Sequence, residues 1–206
     1  MRKKEETTNI METFLSGQLE KHVSGLDKYF EGNKEEITDD FIATINNLCA
    51  LAKEQQASGV KAPICYLHIG FLRSSLLTGT YDFRVALHSN LLWLDKTETS
   101  VYWVPGFVFK YVSRDISDMV EFARRERTPI SKFAVDELKY RYAQAYIGQV
   151  QSIATKIMPG AIEKSDFTQL ELEDKYTAVF GGHMESGTII FPLGTGGGDE
   201  KGVQAV

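Results

Sequence analysis

Eight aromatic side chains, Tyr81, Phe83, Trp93, Tyr102, Trp103, Phe107, Phe109 and Tyr111, fall within thirty-one residues. One face of one sheet cannot bury them all. Around them the apolar residues follow a strand period: Tyr81 to Leu87 alternates cleanly, which puts Phe83, Val85 and Leu87 on one face. Ser89-Asn90 reads as a two-residue turn into a strand over Leu91–Asp95. That register would add Leu92 and Leu94 to the core face and set Arg84 opposite Asp95 and Ala86 opposite Trp93. Val101–Val104 and Phe107–Val112, on either side of Pro105-Gly106, complete an antiparallel meander. Some rings must then point away from the core and be covered by helices or by a partner.

The flanks have a different period. From Asn9 to Phe30, Ile10, Met11, Phe14, Leu15, Leu19, Val23, Leu26 and Phe30 recur at three- and four-residue steps, the signature of an amphipathic helix. Asn9 and Glu12 resemble a capping box at its start. The Glu31-Gly32-Asn33-Lys34 segment breaks the pattern before a second helix over Thr38–Gln56, giving an antiparallel helical hairpin. Ile64–Leu72 fits a buried strand, and 64–78 fits a helix as well; periodicity does not separate the two. Asp115–Arg127 reads as a short helix with Ile116, Val120 and Ala123 inward. Thr128-Pro129 starts a long helix that Pro159-Gly160 stops near Met158. At 1.5 Å per residue that helix would span about 45 Å. It carries two apolar stripes, one through Phe133, Tyr140, Ile147 and Ala154, and so needs two partners. A final hairpin joins Tyr176–Gly181 to Thr188–Phe191.

The expected fold is therefore α+β: an N-terminal helical hairpin, a mainly antiparallel sheet of about five to six strands, and one long helix packed on it from the C-terminal half. Residues 1–8 read as a flexible N-terminus, 9–193 as a single domain, and 194–206 as a flexible glycine-rich tail. A chain of 206 residues buries roughly 70% of its unfolded surface, enough for a core without staples.

Several chemistries lack their residues. A net charge of −5 leaves no broad cationic surface for nucleic acid or anionic lipid. The segment Gly194-Thr195-Gly196-Gly197-Gly198 misses the dinucleotide fingerprint, since Asp199 holds the third glycine position. It misses the phosphate-loop pattern because Gly202 follows Lys201. His183-x-Glu185 has no downstream cysteine pair of the kind zinc deaminases use. His22, His68, His88 and His183 stand apart, so no metal site and no cofactor is expected. Ser74 and Ser75 lie in no nucleophile elbow. Cys49 and Cys65 read as buried thiols. With no apolar stretch long enough for a signal peptide or a membrane span, a cytoplasmic protein is expected.

Three functional readings follow. The leading one is a non-enzymatic interaction protein, adaptor or regulator, that binds another protein or its own copy. Its face would comprise Trp93, Trp103, Tyr102, Arg84 and Asp95, residue types that dominate interface energetics. The second is a small-ligand binder or enzyme with a pocket at one end of the sheet, drawing on His68 and Arg73 together with Arg84 and Asp95. The third is a nucleic-acid accessory protein whose anion patch is Arg124, Arg125 and Arg127. Nucleic acid is disfavoured as a partner, because a helix C-terminus attracts such cations for local reasons.

Overall fold

Two helices open the chain in this computed structural model, which describes residues 2–127, 130–182, 185 and 187–193, with side chains from Met11 to Pro192. Helix α1 (Arg2–Gly32) begins ahead of Asn9, so that residue lies inside a helix rather than capping one. Asn33 separates it from α2 (Lys34–Ala57); its side-chain amide donates to the Tyr29 carbonyl at 2.7 Å and satisfies one orphan acceptor.

Five strands follow: β1 (Ile64–Phe71), β2 (Phe83–His88), β3 (Ser100–Trp103), β4 (Leu172–Gly182) and β5 (Gly187–Leu193). They form one sheet in the order β3-β2-β1-β4-β5. Strands β1 and β4 run parallel and the other pairs antiparallel, so the sheet is mixed. Segment 64–78 is a strand followed by a short helix, α3 (Arg73–Thr78), which Gly79 ends in the left-handed conformation (φ 84°). Register then sorts the side chains. Leu67, Leu87 and Ala178 form one cross-strand row, Ile69, Val85 and Phe180 a second, and Phe71, Phe83 and Trp103 a third. All three rows share one face.

The helices cover that face. Phe41 of α2 meets Trp103 edge-on at 4.8 Å. Phe109 lies 6.1 Å from both Phe83 and Tyr146, and Tyr81 stacks on Phe109 at 4.4 Å. Helix α5 (Val112–Arg125) turns Ile116 and Ala123 inward as expected, with Val120 half-buried.

Three expectations need correction. Leu91–Asp95 is not a strand but a loop with a single 3-10 turn, Leu92–Leu94, so β3 is the antiparallel neighbour of β2. Arg84 therefore faces Tyr102 and Ala86 faces Ser100, and neither Leu92 nor Leu94 enters the core. Phe107–Val112 is helical: α4 (Gly106–Phe109) starts after Pro105, whose missing N–H is no loss at a helix start. The long helix is bent into α6 (Lys132–Ala145) and α7 (Ile147–Lys164), joined at Tyr146. Ser131 caps α6, accepting from the Ala134 amide, and the expected Thr128-Pro129 start lies outside the described residues. Of the stripe through Phe133, Tyr140, Ile147 and Ala154, Phe133 is exposed at the start of α6 and Tyr140 half-buried, while Ile147 and Ala154 of α7 are buried. Pro159 does not stop α7. Met158, Ala161 and Ile162 are all buried there, and packing offsets the roughly 3 kcal/mol that an interior proline costs. The 194–206 tail lies outside the described residues, and among those described no helix is long and apolar enough to cross a membrane.

Candidate functional site

Alternation that sends Leu67, Val85 and Trp103 toward the helices sends their neighbours the other way. The second face carries Tyr66, His68 and Gly70 on β1, Arg84, Ala86 and His88 on β2, Tyr102 on β3, and Thr177 and Val179 on β4. This face is the polar one. Tyr66, Thr177 and Val179 are half-buried and Tyr102 is 60% exposed, whereas His68, Arg84 and His88 are buried.

Their cover is the loop between β2 and β3. Trp93, at its centre, stands edge-on to both imidazoles, with ring centroids 4.9 Å from His68 and 4.9 Å from His88. The two histidines lie 6.3 Å apart, so the indole fills the space above them. Gly70 makes room beneath: a Cβ there would lie 2.6 Å from His68 Cε1. Arg84 donates from Nη2 to Glu98 Oε1 at 2.9 Å and from Nε to the same oxygen at 3.3 Å. Its Nη1 and the Nε2 of His88 are buried with no hydrogen-bond partner among the described residues. Burial, then the positive charges of Arg84 and Lys61, push the His88 imidazole down to about 4 against a weaker opposing pull from Asp95. It is therefore neutral near pH 7.

A buried ion pair clamps this loop. Lys61 Nζ donates to Asp95 Oδ2 at 2.7 Å, to the Leu87 carbonyl at 2.8 Å and to the Thr97 carbonyl at 2.9 Å, filling all three ammonium donors. Asp95 Oδ2 also accepts from the Ser89 amide at 2.9 Å. Burial alone would raise the Asp95 carboxyl, but the hydrogen bonds and charge of Lys61 outweigh it and hold the group below its ordinary value. Between the clamped ends Leu92 adopts φ 51°, a conformation that disfavours a branched side chain. The loop's remaining leucines face outward, Leu91 at 56% and Leu94 at 80% exposure.

Of the residues singled out from sequence, Trp93, Arg84 and His68 gather here, with Tyr102 on the strand beside Arg84. Asp95 belongs to the clamp and does not pair with Arg84, whose partner is Glu98. Trp103 is no surface anchor. It is 2% exposed, and its Nε1 donates to Asp40 at 3.1 Å. Arg73 lies apart on α3, its guanidinium 5.1 Å over the Tyr140 ring at the mouth of a cavity of about 290 Å³. Arg124, Arg125 and Arg127 are exposed at and just beyond the end of α5, where Arg125 pairs with Glu121 one turn back. Sequence reasoning missed His88, Lys61 and Glu98. His88 could have been read from the alternation that places it on the side of Arg84; Lys61 sits in a short loop and gives no local signal.

Within the cluster the Trp93 indole packs against both imidazoles. Among the described residues no three metal-binding side chains converge. No protein-family model, curated protein or solved structure matches this chain.

Proposed function

We propose that this is a non-enzymatic interaction protein, an adaptor or regulator, that docks a protein partner on the 91–94 loop and the neighbouring Tyr102. The observation that carries the reading is the combination of a strained Leu92 and a buried Lys61–Asp95 clamp beneath a loop whose Leu94 is 80% exposed. A buried ion pair is weak evidence for stability but can specify one conformation. Here it fixes the conformation that displays two leucines. Backbone strain of this kind concentrates at working sites, and exposed apolar patches mark contacts. Two unpaired thiols, one buried Cys49 raised to about 12 by burial, support a reducing, cytoplasmic setting.

The test is a pair of charge substitutions, Leu91→Asp and Leu94→Asp, read by co-purification from the native cell and by light scattering. Loss of specific co-purifying chains in both variants supports the proposal, and loss of a wild-type dimer assigns the partner as a second copy. A strictly monomeric wild type whose set of co-purifying chains is unchanged by both substitutions overturns it.

A further inference from the structure

A second concave site lies far from the Trp93 loop in sequence, between the middle of α1 and the α4–α5 junction. It is a cleft of about 300 Å³ whose walls include Lys21, His22, Tyr29, Lys110, Tyr111 and Arg114. That volume is at the lower end of the range for small-ligand pockets. In a chain of net charge −5, its lining gathers two lysines, an arginine and a histidine with no carboxylate among the described residues. None of the ion pairs among the described residues involves Lys21 or Lys110.

Lys110 is held in place by aromatic rings, and Arg114 by a ring and a buried carboxylate. Lys110 Nζ sits 4.8 Å from the centroids of both the Tyr29 and Tyr111 rings, and the Arg114 guanidinium sits 4.8 Å from that of Tyr111. The His22 imidazole stacks on Tyr111 at 4.0 Å and 9°. Behind this layer lies Asp115, 1% exposed. The Tyr142 hydroxyl donates to it at 2.7 Å, His22 Nε2 lies 3.1 Å from it, and Arg114 Nη2 donates to it at 3.3 Å. That carboxylate is thus committed to holding His22 and Arg114 from beneath. Arg114 spends one nitrogen on that bond and keeps an exposed side chain with donors to spare.

Two lysines without an ion-pair partner among the described residues and an arginine with donors to spare, lining one cleft, define a preference for anionic oxygens, and together they suit the several oxygens of a phosphate. The geometry points to a binding site for a small phosphate-bearing molecule, the phosphate held by Lys21, Lys110 and Arg114. The site stands independently of the docking loop. Free phosphate and a phosphate monoester share this chemistry, and the experiment separates them.

The full-length protein is titrated with inorganic phosphate and, separately, with phenyl phosphate, followed by amide chemical shifts. Saturable binding with a Kd on the order of 1 mM or tighter, with shifts centred on Gly25, Tyr111 and Arg114, supports the site. Tighter binding of phenyl phosphate assigns an organic phosphate as ligand, and equal affinity assigns the free anion. Lys110→Gln removes a charge-assisted contact and should weaken binding about tenfold or more. Gly25→Leu provides a second variant. A Cβ at Gly25, on the cleft lining, meets nothing within 4 Å, so a leucine there has room to project from the lining and obstruct the cleft without altering a charge, and leucine is a better helix former than glycine. It should abolish binding while leaving the helical circular dichroism intact. Absence of saturation with both probes, or binding that survives both substitutions, overturns the assignment.

Discussion

The ammonium of Lys61 and the carboxylate of Asp95 lie 2.7 Å apart, the lysine side chain fully buried and the aspartate nearly so. This pair ties the segment before β1 to the loop that follows β2, and three of its hydrogen bonds end on loop backbone or on the last residues of β2. Removing one partner leaves the other charge buried. Asp95→Asn should therefore destabilise the fold by about 3 kcal/mol, while a Lys61→Met/Asp95→Leu double substitution should cost less than the two single changes summed, because no charge of the pair remains buried, although the Leu87 and Thr97 carbonyls and the Ser89 amide lose their partners. Urea midpoints measure both. An Asp95→Asn protein as stable as the wild type would show that the clamp holds nothing.

His88 makes stability depend on pH in a definite direction. Its folded value is depressed to about 4, so between that pH and its ordinary value near 6.5 the unfolded chain binds a proton that the folded chain does not. Its contribution is complete above pH 6.5 and is lost as the pH falls toward 4. The full effect is roughly 3 kcal/mol. Arg84, Lys61, Asp95, His68 and Trp93 all face or neighbour this ring. Asp95, also depressed, adds a loss in the same direction at lower pH, below its own unfolded value of 3.8. Unfolding free energies at pH 7, 6, 5 and 4.5 should fall steadily in the wild type and be much flatter in His88→Gln. A wild-type profile flat over that range would refute the depressed imidazole.

The display of Leu91 and Leu94 separates binding from folding. Both side chains are exposed, so Leu94→Asp should change unfolding free energy by no more than about 0.5 kcal/mol, as for most surface substitutions. Trp103→Ala, by contrast, removes a ring packed against Phe41 and Phe83 and should cost about 3–5 kcal/mol. Thermal unfolding of the two variants side by side checks the contrast. A large destabilisation by Leu94→Asp would mean that the loop tip packs inward in solution.

Elements with a clean period were legible in the sequence. The break at Gly32-Asn33 and the alternation from Phe83 to Leu87 each survive in the structure, because local sterics and one-sided burial act over a few residues. Pairing partners were not legible. Strand β1 lies parallel to β4, more than a hundred residues away, and nothing in either strand's own pattern names the other. Leu91 to Leu94 is as apolar as a strand, and what makes it a loop is Lys61, some thirty residues earlier. The aromatic run from Phe107 to Tyr111 alternates like a strand, yet it follows Pro105, which suits a helix start, and α4 buries Val108 and Phe109 together. Trp93, Arg84 and His68, picked by residue type, lie together on the face away from the helices. Trp103 was misplaced by the same criterion, because register puts it beside Phe83 on the core side.

Gly70 gives the sharpest test of the histidine–tryptophan stack. The His68 imidazole lies over it so closely that a methyl group would sit 2.6 Å from Cε1 and 3.1 Å from Nδ1. The ring cannot simply swing aside, since Trp93 blocks it 4.9 Å away and His88 stands beyond. Gly70→Ala must therefore displace His68 and with it the indole, at an overpacking cost of about 1–3 kcal/mol, although alanine is no worse than glycine in a strand. Because Trp103 is sealed on the opposite face, a Trp103→Phe background makes Trp93 the only tryptophan and its emission a direct report on the stack. In that background Gly70→Ala should shift the emission to the red and increase iodide quenching. Unchanged emission with unchanged stability would mean that His68 does not lie over Gly70 and that the loop is held by the Lys61–Asp95 clamp alone.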